Sequence, residues 1–259
     1  MGFISRKLEP IKLAIKYRLR WRYTQKEWFL GRHACLGYDS LRLLPNVPRE
    51  INFQKGRVDL LLSVLNSPSL KPKMSLLQGV MHRNDILPLI KQLEFLDVLP
   101  RKAPKFIFMD SFAELTDQLF RHKSERWLFA CAYSDVNHSD VFEGRFESCG
   151  LLSLQLLEGY YSCLFQEFEA RWGAVPILFL HFPITLEGRQ LYIERYHAIV
   201  NAIKRLSDRY KNLHSIQIDE SEVSWPDFRS EELKNFPYHY DDKTYEKFKI
   251  ELLKTRLFD

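Results

Sequence analysis

A strand, a helix and a second strand follow one another in residues 175–218, and this unit constrains the fold most. Residues 175–182, VPILFLHF, form a nearly continuous apolar run, as in a parallel strand buried on both faces. Apolar side chains then recur at helical spacing, at Tyr192, Tyr196, Ile199, Val200, Ile203, Leu206 and Tyr210. Residues 213–218, LHSIQI, read as a further strand. The succession predicts a βαβ unit, and therefore a parallel sheet with helices on its faces.

A second apolar run stops abruptly at polar residues in the segment 105–118, KFIFMDSFAELTDQ. The run Phe106–Met109 predicts a strand that ends at Asp110 and Ser111, and Glu114 lies on the helix-like segment that follows. Open α/β sheets bind their ligands at the carboxyl ends of strands, so these three polar residues are candidates for lining a pocket. The alternative is that Asp110 or Ser111 only caps the following helix.

The composition is that of a globular chain with one sizeable core. Hydrophobic residues make up 46% of the 259 residues, and twelve Pro with ten Gly do not suggest a fibrous or disordered class. Four cysteines without CxxC spacing indicate reduced thiols, with neither a zinc site nor a disulfide framework. No run of 18 apolar residues predicts a transmembrane helix, and the start lacks the apolar region of a secretory signal. These observations predict a cytoplasmic protein.

The first 27 residues are predicted to form a basic amphipathic arm, and residues 28–259 a single α/β domain. Eight Lys or Arg stand against one acid in residues 1–26, with apolar residues between them. Such an arm either packs on the domain by its apolar stripe or contacts anionic lipid at the inner face of a membrane. The sequence argues against nucleic acid as a partner, because no recognised binding module accompanies the charge.

The tail contains the second informative stretch, residues 235–253, NFPYHYDDKTYEKFKIELL. It predicts a turn and then a last helix that is capped by Asp241 or Asp242. His239 therefore lies in a loop directly before that helix, and not on an apolar face.

This order of elements resembles the SGNH (GDSL-type) hydrolase superfamily. The closer resemblance is to an SGNH-like group linked to capsule and surface-polysaccharide biosynthesis, the WcbI-like proteins, which end in Pro-Phe-His-Tyr before an acidic, Tyr-containing helix. The matching residues here are 237–240, Asp241, Asp242 and Tyr245. The resemblance implies a three-layer α/β/α sandwich with a mainly parallel, flavodoxin-like sheet. It also implies that His239 is the catalytic histidine.

The nucleophile is left open between three side chains. In register with the first block of the family, its serine position is occupied by Ala34, so Cys35 beside it or Ser40 after an insertion would take the role. Ser111 is the third candidate. A serine or thiol needs a histidine base that a carboxylate orients, and Asp227 and Asp242 are the carboxylates predicted for this. The side chains predicted to contact substrate are Asp110, Glu114, Tyr238 and Tyr240.

These residues favour an acyl-transfer enzyme, either an O-acyltransferase or an esterase that acts on a sugar of a surface or capsular polysaccharide. No cofactor is required for this chemistry, and acetyl-CoA is a candidate acyl donor. The alternative is a catalytically degenerate SGNH-like domain that binds a glycan or a partner in polysaccharide biosynthesis. The departure of the first block from the family pattern favours the alternative, and the retained His239 loop favours the enzyme.

Overall fold

The structure is a computed structural model that describes residues 27–226 and 237–259. Residues 1–26 of the predicted arm lie outside the described residues. The described part contains eight strands, β1 (Trp28–Arg32), β2 (Arg49–Asn52), β3 (Ile107–Asp110), β4 (Asp117–His122), β5 (Leu128–Ala132), β6 (Phe146–Gly150), β7 (Ile177–Leu180) and β8 (Leu213–Ile216). Its α-helices are α1 (Cys35–Leu41), α2 (Val58–Asn66), α3 (Met74–Leu77), α4 (Leu87–Phe95), α5 (Phe112–Thr116), α6 (Asp140–Arg145), α7 (Leu157–Trp172), α8 (Gln190–Arg209) and α9 (Asp242–Leu253).

Five of the strands form one sheet in the order β2-β1-β3-β7-β8, and all of its neighbours are parallel. When the five strands of this sheet are numbered 1 to 5 in chain order, without β4–β6, their order is 2-1-3-4-5, as in flavodoxin-like folds. The order reverses between β1 and β3, and open α/β sheets bind ligands beside such a reversal, at the carboxyl ends of the strands. The predicted fold class is confirmed, and its topology directs attention to the ends of β1 and β3.

Helices cover both faces of the parallel sheet. The ring of Trp28 meets Trp172 of α7, whereas the next residue, Phe29, lines a cleft together with Leu41 of α1. Successive side chains of a strand point to opposite faces, so α7 and α1 lie on opposite sides of the sheet. Helix α9 packs beside α1, and α2 and α8 pack against α7. The result is a three-layer α/β/α sandwich.

The strands β3 and β7, which were predicted from apolar runs, form the centre of the core. The side chains of Ile107, Phe108 and Met109 are fully buried, as are those of β7. Two helix ends follow from local sequence, and the second of them, the Asp241 cap, was predicted above. Helix α7 stops at Gly173, whose φ of 75° lies in the left-handed region that favours glycine. Asp241 caps α9 by accepting a hydrogen bond of 2.9 Å from the backbone N–H of Thr244.

An antiparallel sheet of three strands, in the order β5-β4-β6, is inserted between β3 and β7. It has an apolar cluster of its own, which includes Phe120, Trp127, Phe129, Phe142 and Phe146. A buried lysine joins it to the main sheet: the Nζ atom of Lys55 lies 3.1 Å from Asp117 Oδ1 and 3.5 Å from Asp135 Oδ2. The sequence patterns did not predict this second sheet.

Within the described residues, no helix combines the length and the apolar character that crossing a membrane requires.

Candidate functional site

A single carboxylate ties together the two turns at the reversal of strand order. Asp110, at the end of β3, accepts a hydrogen bond of 2.6 Å from the backbone N–H of Ala34 after β1. Its other oxygen accepts one of 3.0 Å from the N–H of Phe112. The side chain is only 1% exposed. Asp110 therefore lies at the predicted edge of the sheet, where its carboxylate holds the β1–α1 and β3–α5 turns in a fixed relation.

The environment of Asp110 makes its carboxyl harder to ionise than that of an ordinary aspartate. Burial raises the pKa of this carboxyl to about 6, although the nearby charge of His33 and the two backbone hydrogen bonds act in the opposite direction. A carboxyl whose pKa is higher in the folded chain than its ordinary 3.8 stabilises the fold most at low pH. That contribution is lost as the pH rises through about 6.

We expect this pH dependence to disappear in Asp110→Asn, whose amide does not ionise. The free energy of unfolding of the wild type, relative to the variant, should fall between pH 4 and pH 7, by roughly 1.4 kcal/mol for each unit by which the pKa is raised. Urea titrations at several pH values measure it. Asp219→Asn is the control, since hydrogen bonds from Ser221 lower the pKa of Asp219 below its ordinary 3.8, so its contribution to stability changes only at lower pH and should stay constant between pH 4 and pH 7. If the free energy of unfolding of the wild type relative to Asp110→Asn does not change with pH, the raised pKa of Asp110 is contradicted.

Glu114 lies behind Asp110 and is fully enclosed. Its two oxygens accept hydrogen bonds of 2.7 and 2.8 Å from Nη1 of Arg32, one of 2.8 Å from the N–H of Val58 and one of 2.6 Å from the hydroxyl of Tyr161. The other terminal nitrogen of Arg32 donates to the carbonyl of Asp110. The side chain predicted to contact substrate therefore holds β1, α2 and α7 together beneath the site.

A buried histidine, His33, follows β1 on the α1 side of the sheet. Nδ1 of His33 contacts the carbonyl of Ala34 at 3.1 Å, and Nε2 contacts the carboxylate of Glu50. Both partners are hydrogen-bond acceptors, so these contacts favour the protonated imidazole, in which both ring nitrogens donate. Burial alone would lower the pKa of His33, but Glu50 and Asp110 raise it above its ordinary value. A Cβ atom on Gly37 would lie 2.4 Å from the His33 ring, so only glycine fits there.

The two serine candidates are both enclosed and hydrogen-bonded. Ser40 lies inside α1, where its hydroxyl donates a bond of 2.7 Å to the carbonyl of Leu36, one turn earlier. The hydroxyl oxygen of Ser111 accepts a bond of 3.1 Å from the N–H of Phe182 and so joins the ends of β3 and β7. Neither side chain has measurable exposure. In this arrangement both hydroxyls stabilise the fold.

Cys35, the third candidate, is partly exposed at the first residue of α1. Its Sγ donates a hydrogen bond of 3.4 Å to the backbone carbonyl of Tyr238, the residue before His239. Burial raises the pKa of this thiol, and the carboxylates of Asp110 and Asp39 add to the effect. The group is therefore a thiol at rest, and it lies directly against the histidine turn.

The turn that carries His239 is anchored by the two tyrosines predicted to contact substrate. The hydroxyl of Tyr238 donates to Glu187 at 2.7 Å, and its ring packs edge-on against Phe112 and Phe182 at the ends of β3 and β7. The hydroxyl of Tyr240 donates to the carbonyl of Pro183 at 3.1 Å. His239 stays half-buried between them. The turn is thus fixed over the carboxyl edge of the sheet.

A carboxylate absent from the predictions, Asp39, accompanies this turn. Burial lowers the pKa of His239, and the negative charge of Asp39 acts in the opposite direction. Asp39 follows Cys35 by four residues on α1, so both side chains lie on one face of the helix. This spacing of four residues from Cys35 is visible in the sequence and could have identified Asp39 as a candidate site residue.

The two carboxylates predicted to orient the histidine have other positions. Asp242 is 87% exposed at the start of α9, where it pairs with Arg42 at 3.2 Å. Asp227 lies outside the described residues. The structure therefore places Cys35 against the turn that carries His239, and the charge of Asp39 acts on both groups. Cys35 and His239 were predicted.

Comparison of the chain with protein-family models, with curated proteins and with solved structures gives no match. The resemblance to SGNH hydrolases therefore stays a prediction. In the described ranges, 27–226 and 237–259, no group of three or more His, Cys, Asp and Glu side chains is arranged to hold a metal ion.

Proposed function

We propose that this protein is an acyl-transfer enzyme in which Cys35 is the nucleophile, His239 the general base and Asp39 the carboxylate that orients the base. The observation that carries the proposal is the bond from Sγ of Cys35 to the carbonyl of Tyr238. It places the first turn of α1 against the His239 turn at the reversal of strand order, where α/β folds bind their ligands. Ser40 and Ser111 have no comparable exposure.

The resting protonation states suit a thiol paired with a neutral imidazole. The raised pKa of Cys35 keeps its proton on sulfur, and the lowered pKa of His239 keeps the ring neutral at pH 7. A neutral imidazole is able to accept the thiol proton when an acyl donor is bound. Asp39 then stabilises the imidazolium that forms, as a carboxylate does in nucleophile–histidine–acid triads.

The reaction runs in two steps. In the first, His239 takes the proton from Cys35, the sulfur bonds to the acyl carbon, and the leaving group departs with the proton that His239 returns. In the second, a hydroxyl of the acceptor gives its proton to His239 and bonds to the acyl carbon. The C–S bond breaks, and the sulfur recovers the proton. With water as the acceptor the same steps constitute an esterase.

The substrate assignment follows the sequence resemblance. We propose a sugar hydroxyl of a surface or capsular polysaccharide as the acceptor and a thioester such as acetyl-CoA as the donor. A thioester exchanges its acyl group with a thiol at little thermodynamic cost, so Cys35 is chemically matched to such a donor. Docking of the basic N-terminal arm at a membrane surface belongs to the same proposal.

One observation favours a second function, a domain that binds a glycan or a biosynthetic partner without catalysis. Burial, together with the carboxylates of Asp110 and Asp39, raises the pKa of Cys35, which opposes formation of the reactive thiolate. A degenerate site would keep this geometry and turn over no donor.

The decisive experiment is mass spectrometry of the protein after brief incubation with acetyl-CoA and with aryl acetate esters. We expect one acyl group per chain, on the peptide that contains Cys35, and no label on that peptide in His239→Ala. The exposed thiols of Cys149 and Cys163 are internal controls for chemical acylation, which does not depend on His239. Equal labelling of all three cysteines would contradict the enzyme, and an unlabelled protein that retains glycan would support the binding domain.

A further inference from the structure

We propose that the cleft between α1 and the first residues of β1 and β2 is a second binding site, which takes a small organic ammonium ion with an apolar body. The cleft has a volume of about 260 Å³. Its lining residues are Phe29, Tyr38, Leu41, Arg42, Val47, Pro48 and Glu50. The cleft lies towards the amino ends of the strands, whereas the His239 turn lies over their carboxyl ends. This site does not depend on the proposed function.

The floor of the cleft is apolar and well packed. Phe29 is 1% exposed and its ring stacks on that of Phe106 with 4.9 Å between the ring centroids. The ring of Tyr38 is 65% exposed, so it forms the rim, where its face can attract a cation. A volume of about 260 Å³ is just below the range of about 300–1,000 Å³ for drug-sized ligands. The cleft therefore suits a ligand body of about one ring.

One carboxylate lies against this apolar floor. Glu50 is the register partner of Phe29, so both side chains point to the α1 face of the sheet. Its Oε1 atom lies over Gly31, where a Cβ atom would be 2.5 Å away, and is contacted by Nε2 of His33. The side chain of Glu50 is 32% exposed. A carboxylate has about four acceptor positions, of which His33 occupies one, so an ammonium in the cleft can donate to the others.

The charges around the cleft favour a cation. The guanidinium of Arg42 lines the cleft, but it is paired with Asp242 at 3.2 Å and with Asp39 at 3.6 Å. Glu50 is the third carboxylate, against two positive groups, Arg42 and a protonated His33, which leaves one net negative charge. An anionic ligand would be repelled by this charge. The chemistry that fits is an ammonium group on an aromatic or short aliphatic body.

The test compares three probes that share one body and differ in the charge of the head. These are phenethylammonium, 2-phenylethanol and 3-phenylpropionate, each titrated into the full chain while NMR follows the backbone amides of residues 29, 41 and 50. For phenethylammonium we expect a dissociation constant of about 1–10 mM, as for other fragments of this size. The alcohol should bind about tenfold more weakly, because it lacks the charge-assisted hydrogen bond, and the carboxylate should not saturate the site.

Three variants locate the binding. Glu50→Gln keeps the size of the side chain but not its charge, so it should weaken phenethylammonium about tenfold and leave 2-phenylethanol unchanged. Val47→Phe fills the cleft and should abolish the shifts from both probes without altering Glu50. Glu158→Gln is the matched control, since Glu158 is 35% exposed and paired with Arg205 away from the cleft, and it should bind as the wild type does.

Two results would overturn the inference. One is equal affinity of phenethylammonium for the wild type and for folded Glu50→Gln. The other is a wild type that binds none of the three probes, in which case the inward-facing acid serves only to keep the edge strand β2 from pairing with other chains. The comparison of probes needs only the wild type, so it decides the matter even where a variant does not fold. Because no acyl donor is used, failure of the acylation experiment would leave this site standing.

Discussion

Replacement of Glu114 by Ala is expected to lower the free energy of unfolding by about 3–5 kcal/mol. The change leaves the guanidinium of Arg32, which is 3% exposed, without the carboxylate that accepts two bonds from its Nη1 atom. It also removes the acceptor for the N–H of Val58 and for the hydroxyl of Tyr161. Each buried donor that is left unsatisfied adds a desolvation cost of about 1–3 kcal/mol. Urea denaturation followed by circular dichroism measures the effect.

A surface pair with the same chemistry is the matched control. Glu158 of α7 pairs with Arg205 of α8 at 2.6 Å, but both side chains are partly exposed. Glu158→Ala should therefore cost only about 0.2–1 kcal/mol. Glu114→Gln keeps an acceptor and should lie between the two alanine variants. Equal losses for Glu114→Ala and Glu158→Ala would show that the buried network does not stabilise the fold in the way that its geometry indicates.

Loss of His239 is expected to lower kcat for acyl transfer by about 10²–10⁴-fold, the range that a positioned general base contributes. Cys35→Ala should abolish transfer through the acyl thioester. The double variant should be no worse than Cys35→Ala alone, because a nucleophile and its base act as one unit. Steady-state rates with the donor identified by acylation provide the measurement.

The control for this prediction is His214→Ala, which removes an exposed histidine of the edge strand β8. It should keep the wild-type rate. A fully active His239→Ala, or a Cys35→Ala that still transfers the acyl group, would rule out the mechanism. In the second case attention would move to Ser111, which needs the end of β7 to separate from β3 before its hydroxyl is accessible.

The sequence was informative where burial is complete. Strands β3 and β7 are covered on both faces, so their sequences are apolar runs. Asp110 was predicted as a site residue because it is the polar residue at the carboxyl end of such a run. Strand β2 was missed for the opposite reason. It is a four-residue edge strand, REIN, partly exposed along its length, and it carries neither an apolar run nor a strong alternation.

The candidate site was predicted only in part, because its contacts join distant parts of the chain. Cys35 and His239 were singled out by local context and resemblance, yet 203 residues separate Cys35 from the Tyr238 carbonyl that it contacts. Glu114 was predicted to contact substrate because it is a polar residue after a buried strand. The sequence gives no sign that Arg32, 82 residues earlier, binds its carboxylate. Pairings of this kind depend on strand order, which local patterns do not contain.

The carboxylate of Asp110 has a consequence for how this chain tolerates change. The pairing of β1 with β3 brings the turns after these strands together, and the side chain of Asp110 reinforces their spacing by accepting hydrogen bonds from the amides of Ala34 and Phe112. Both hydrogen bonds go to backbone amides, so they do not depend on which side chains residues 34 and 112 carry. The side chains that these turns present could thus be changed by substitution without loss of the link between their backbones, provided that residue 110 continues to join them.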